Sequence, residues 1–163
     1  MADIKRYRLW LHLLPYLLLF YPATSGEAPL ERALFEAHYV TLFPNLAYIL
    51  VTYNIVGRIQ IIAPYLITRK GRDWYETRVV QISMGSVFIY LAMLYGWYFL
   101  YYPTMGVDYP LRLIILFLFL NTIMMLTVSW ILCQHNGKHL FMAICLELFF
   151  HYAFIYPFGS FLA

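Results

Sequence analysis

The chain has 163 residues, of which 63% are hydrophobic, 20% aromatic and 12% charged, with a net charge of +3. A water-soluble domain carries about a quarter charged residues, so this composition excludes an ordinary soluble globule and predicts an all-α integral membrane protein. The basic residues form no nucleic-acid-binding run, and Cys133 and Cys145 have neither redox nor metal spacing, so both read as small buried hydrophobes rather than a disulfide.

A membrane helix needs about 20 mostly apolar residues. The first candidate, Tyr7 to Tyr21, is short and interrupted by Pro15. Its basic start and short apolar core have the outline of a secretory signal, and we expect it to be retained as a span or an uncleaved anchor. Residues 24–38 follow, where Thr24 or Ser25 can cap and Pro29 suits a first turn. Leu30, Leu34 and Ala37 face away from Glu31 and Glu36, which predicts a short amphipathic helix at the interface.

The second span runs from Tyr39 to Thr68, with Pro44 near its start and Pro64 near its end, long enough to tilt or kink. The third covers Val79 to Tyr102, the fourth Leu111 to Cys133, and the fifth His139 to Phe161. Together they predict a single polytopic domain over 1–163, a bundle of about five transmembrane helices. Four spans plus an interfacial N-terminal helix is the alternative. Lys5, Arg6 and Arg8 precede span one; Arg69, Lys70, Arg72 and Arg78 crowd the loop after span two; Lys138 precedes the last span. Arg32 and Arg112 stand alone on the other side. That alternation places the N-terminus inside. Trp97, Tyr98, Tyr101 and Tyr102 suit an outer aromatic girdle, Trp74 and Tyr75 an inner one. "SMGS" at 83–86 would let one helix approach another closely.

Ionisable groups inside a span cost about 2.5–3.5 kcal/mol each on insertion scales. Away from the margins the chain has Arg58, Glu147 and His151, with Asn54, Gln60, Gln81 and Asn121 as neutral company. Counting 1.5 Å per residue from a shared inner face puts Arg58 and Glu147 at similar depth on spans two and five. We therefore expect a buried, structural ion pair between Arg58 and Glu147, with His151 one turn along on the Glu147 face. On this reading Glu147→Gln destabilises the protein. Arg69, Lys70, Arg72, Arg78 and Trp74 suit an anionic lipid head group, cardiolipin among the candidates.

His135 and His139 are four apart, but Asn136-Gly137 between them reads as a turn, so no metal site is expected. Asn136-Gly137-Lys138-His139-Leu140 resembles the NG-x-RHL signature of the cytochrome-b-type membrane anchor of succinate dehydrogenase, one residue shorter and with Lys for Arg. The resemblance would imply a haem histidine upstream, where this chain has Leu132 and Cys133, and a following Trp-Asp, where it has Phe141-Met142-Ala143. It covers eight residues and implies no haem here. Outside that family, His12, His139 and His151 are the candidate ligands for a haem b.

The sequence has no nucleophile with a base, no phosphate loop and no HExxH, so it is read as non-catalytic. The expectation is a small accessory subunit of a mitochondrial respiratory-chain complex or ATP synthase. Its partners would be other integral membrane subunits and phospholipids, with no nucleic acid and no cofactor. A haem- or quinone-associated redox or proton-handling anchor in the same inner membrane is the alternative.

Overall fold

The computed structural model describes residues 38–101, 111–134 and 137–155. The first expected span and nearly all of the interfacial helix at 24–38 lie outside these residues. Every element among them is helical: α1 (His38–Ile61), α2 (Ala63–Lys70), α3 (Arg72–Tyr101), α4 (Leu111–Leu132) and α5 (Gly137–Phe150), which continues as a π-helical turn, His151–Ile155.

Among the described residues two stretches, Arg72–Leu100 in α3 and Ile114–Leu132 in α4, are long and apolar enough to cross a membrane. A third is added if α1 and α2 count as one span, though they meet at a bend of 58°. The bend has an identifiable cause. Pro64 is at the start of α2, where it has no N–H to give the preceding turn and its ring crowds the carbonyl four residues back. The stretch read as one span, Tyr39 to Thr68, is thus two helices.

Between α2 and α3, Gly71 adopts φ +91° and ψ 159°, a region that is essentially closed to residues with a Cβ. Its N–H donates to the Ile67 carbonyl at 2.9 Å, and its own carbonyl accepts from Tyr75 N–H at 3.3 Å. A Cβ added there would meet nothing within 4 Å, so the cost of substitution lies in the backbone. Gly71→Ala is expected to lower stability by roughly 1–3 kcal/mol, read as an earlier thermal transition in detergent. An unchanged transition would mean the turn relaxes freely.

The helices run up and down. Along α1 the neighbours on α3 descend in number, from Tyr90 beside Asn45 to Tyr75 and Val79 beside Val56. α3 meets α4 in the same antiparallel sense, Ser83 near Ser129 and Tyr95 near Thr122. α1 and α4 pack on each other, with α3 against both and α5 against both. The pair α1/α4 is therefore the centre of the bundle.

Among the described residues the exterior is as apolar as the core, and the polar side chains that are buried sit on the inward faces. On α1 the buried residues Thr41, Asn45, Tyr48 and Thr52 recur at helical spacing, whereas Phe43 and Leu50 face outward. α3 buries Ser83, Val87, Tyr90, Leu94 and Tyr98 and exposes Phe88, Ile89, Met93 and Leu100. α4 and α5 follow suit, with Asn121, Ser129, Glu147 and His151 inside and Phe119, Trp130, Phe141 and Phe149 outside. Ser83 and Ser86 of the "SMGS" stretch face neighbouring helices: the Ser83 hydroxyl donates to the Ser129 carbonyl at 3.4 Å, and Ser86 shares a hydrogen bond with Tyr48. Tyr98 is a core residue, 1% exposed, rather than part of a surface girdle. Both cysteines are free; Cys133 is half-buried and Cys145 exposed on the apolar exterior, so only the former approaches its expected burial.

Candidate functional site

The buried polar side chains converge on Asn45. This residue sits in the second turn of α1, next to Pro44, and is 1% exposed. Its amide Nδ2 donates to Oδ1 of Asn121 on α4 and to Oε1 of Glu147 on α5, both at 2.9 Å. Its Oδ1 accepts from the Tyr90 hydroxyl of α3 at 3.0 Å. One side chain thus joins all four long helices.

The network has a direction. Glu147 Oε1 and Asn121 Oδ1 are both acceptors, so the amide nitrogen of Asn45 must face them and its oxygen must face Tyr90. Asn121 then points its own Nδ2 at the Tyr95 hydroxyl, 3.0 Å away, and Tyr95 donates onward to the Leu118 carbonyl at 3.0 Å. Thr122 closes this end, 3.1 Å from the Tyr95 hydroxyl and 2.7 Å from the same carbonyl. Tyr48 stacks on Tyr90 with ring centroids 4.3 Å apart, which fixes the orientation of the Tyr90 hydroxyl from the other side.

Glu147 is 0% exposed. Among the described residues its carboxyl has a single hydrogen bond, the one from Asn45, and Oε2 has none. One helical turn away from Asn45 and Glu147 lie, respectively, Thr41, whose hydroxyl also has no partner among the described residues, and His151, 1% exposed at the start of the π-helical turn.

The expected pair of Arg58 with Glu147 is not formed. Arg58 is half-buried in the last turn of α1, thirteen positions beyond Asn45, about 20 Å along the axis. The depth count failed because it ran span two to Thr68, whereas α1 ends at Ile61 and holds Arg58 in its last turn; the α1 residue level with Glu147 is Asn45. His151, four positions on, is buried like Glu147. Of the neutral polar residues only Asn121 joins the network; Asn54 and Gln81 are exposed, and Asn54 bonds back to the Leu50 carbonyl at 2.8 Å.

Among the described residues the basic side chains other than Arg58 and Arg112 gather at the end where α2 leads into α3 and α4 into α5. Arg69, Lys70, Arg72, Arg78 and Trp74 are all exposed. The Arg69 guanidinium lies 4.7 Å from the Tyr65 ring centroid, Arg72 Nε is 2.7 Å from Glu76 Oε1, and Arg78 donates to Gln81 at 3.1 Å. His12 and His135 lie outside the described residues. His139 and His151 are on the same helix twelve positions apart, about 18 Å, so they cannot ligate one haem from opposite faces. No group of three metal-binding side chains occurs among the described residues.

The sequence matches no protein-family model, and neither curated proteins nor solved structures include a significantly similar chain. What the site does must be read from its chemistry. The network is made of neutral amides, hydroxyls and one carboxyl, every bond but the two to the Leu118 carbonyl runs from side chain to side chain, and Tyr98, Leu94 and Met125 belong to the surrounding core. Such an arrangement sets helix register. Asn45, Tyr90, Tyr95 and Thr122 are the members that sequence reasoning missed. The signal for Asn45 was the stripe Thr41, Asn45, Tyr48, Thr52, polar residues at helical spacing in an apolar segment. Tyr90 and Tyr95 had none, being two of 16 tyrosines.

Proposed function

We propose that this chain is a small, multi-pass, non-catalytic subunit embedded in a larger membrane assembly, which it stabilises by packing and by holding lipid. The observation that carries this reading is the cohesion of the polar interior: all four long helices spend a buried polar side chain on one another at the Asn45 hub. The exterior supports it. Large apolar side chains such as Ile61, Leu100, Phe119, Phe141 and Phe149, each more than 60% exposed, project from every long helix. A soluble monomer rarely exposes contiguous apolar patches beyond a few hundred Å². Lipid and neighbouring membrane subunits are the surroundings that fit.

The topology we assign is about five spans with the N-terminus and the basic end inside. The assembly class we assign is a respiratory-chain complex or ATP synthase of the mitochondrial inner membrane. Such complexes gather small polytopic chains with little mass outside the bilayer, which is how this sequence is composed. Native electrophoresis of mildly solubilised membranes, with mass spectrometry of the band, tests both parts. The chain, 19.4 kDa, is expected in a band many times its own mass, beside subunits of one of those complexes. Migration as a free monomer would overturn the reading.

A second reading has one specific observation in its favour. Glu147 Oε2 is buried without a partner among the described residues, on the same face as buried His151, a combination that proton-handling membrane subunits use. On this reading removal of the chain diminishes a b-type absorption band or quinone-dependent turnover of the complex. On the reading we favour, the visible spectrum per complex is unchanged.

A further inference from the structure

At the basic end, beyond the reach of the Asn45 network, α1, α3 and α4 leave a cleft of about 490 Å³ between them. We propose that this cleft binds a single phospholipid with a zwitterionic head group.

The charges come first. Arg72 and Glu76, one turn apart on α3, line the cleft and are paired through Nε and Oε1 at 2.7 Å. Among the described residues the terminal nitrogens of Arg72 and Oε2 of Glu76 have no further partner. The pair therefore offers a forked donor for a phosphate and, beside it, an acceptor for an ammonium group. An anionic head group would gain the first contact and be repelled at the second. Arg69, Lys70 and Arg78 are on the same end but do not line the cleft, so they attract acidic lipids to the surface without choosing the occupant.

A second observation is independent of charge. Tyr75 lines the cleft and is only 9% exposed, yet its hydroxyl has no hydrogen-bond partner among the described residues. A buried hydroxyl left unbonded is destabilising, and an ester carbonyl or phosphate oxygen would satisfy it. Gln60 and Gln134 supply further amide groups on the polar side, from α1 and from the end of α4. Farther along, the lining turns apolar: Val80, one turn beyond Glu76 on α3, and Trp130 of α4, 57% exposed, carry the cleft onto the outer face of the bundle. A free phosphate ion has no use for that stretch. An acyl chain does, and an indole ring at the level of the head groups is a common boundary residue.

This inference rests on the membrane placement proposed above but not on any particular assembly, and the two fail separately: the assembly on a native gel, the lipid on a bound mass. The full chain is purified in mild detergent, supplied with equal amounts of phosphatidylethanolamine and phosphatidylglycerol, and examined by native mass spectrometry. A parallel sample receives inorganic phosphate alone. One phosphatidylethanolamine per chain is expected to survive, favoured several-fold over phosphatidylglycerol. Tyr75→Phe keeps the ring and is expected to lower that occupancy by about fivefold, the worth of one hydrogen bond, with helicity unchanged. Glu76→Gln is expected to reverse the preference toward phosphatidylglycerol, an outcome that a merely unfolded variant would not give. Equal retention of both lipids, retention unaffected by either substitution, or adduct formation with phosphate alone would overturn the proposal.

Discussion

Asn45→Asp is expected to unfold the bundle more readily than Asn45→Ala, although aspartate is the closer match in shape. The alanine variant removes the hub and leaves three buried groups without their partner: the Asn121 carbonyl oxygen, Glu147 Oε1 and the Tyr90 hydroxyl. Each orphaned group costs about 1–3 kcal/mol in a protein interior, but hydrogen bonds between membrane helices average only about 0.6 kcal/mol in mutational cycles. Weighing the two, a loss on the order of 2–4 kcal/mol is expected for Asn45→Ala. Aspartate keeps the acceptor for Tyr90 and replaces the amide donor with an oxygen that faces two other oxygens. One of those belongs to Glu147, so two carboxyl groups would meet at hydrogen-bond distance within a buried site, and the loss is expected to exceed about 4 kcal/mol. Denaturant titration in detergent micelles, followed by helicity, ranks the three proteins. Asn45→Asp at or above the stability of Asn45→Ala would mean that the donor direction assigned to the hub is wrong.

The sequence and the structure agree where hydrophobicity decides and part where register decides. Span four was legible almost to the residue, Leu111 to Cys133 against α4 at Leu111–Leu132, because its apolar run is bounded on both sides by polar residues. The third element begins at Arg72 rather than Val79: the first two turns of α3 are polar, hence invisible to a search for apolar length, and helix propensity with Gly71 before them sets the start instead. Glu147, His151 and Asn121 stood out because polar residues in apolar surroundings need a reason. Their partners did not, since contact between helices depends on relative height, which spacing along one helix does not contain. The bend at Pro64 shortens α1 and carries Arg58 toward the basic end, and that shift replaced an expected cation with an amide.

Glu147→Lys is expected to be the most damaging single change at the site, and Glu147→Gln to be nearly silent. The contrast follows from what Glu147 touches. Its Oε1 accepts from Asn45, and among the described residues no cation bonds to it. Glutamine preserves that acceptor and removes no ion pair, so its effect is expected to fall within about 1 kcal/mol, of either sign. Were a guanidinium paired with the carboxylate, removing its partner would cost about 3–5 kcal/mol. Lysine turns an ammonium group toward the amide donor of Asn45, at a position that is 0% exposed, and donor meets donor where no water can mediate. A charge desolvated without a partner costs several kcal/mol even after relaxation, enough to consume much of the stability of a chain this size. Arg58→Gln serves as the control, since it lies about 20 Å from the hub and is expected to change stability by less than about 0.5 kcal/mol. The double variant Arg58→Gln with Glu147→Gln is then expected to be additive. A coupling energy above about 1 kcal/mol between the two positions would restore the ionic clasp and displace the amide hub as the contact that holds α5 in register.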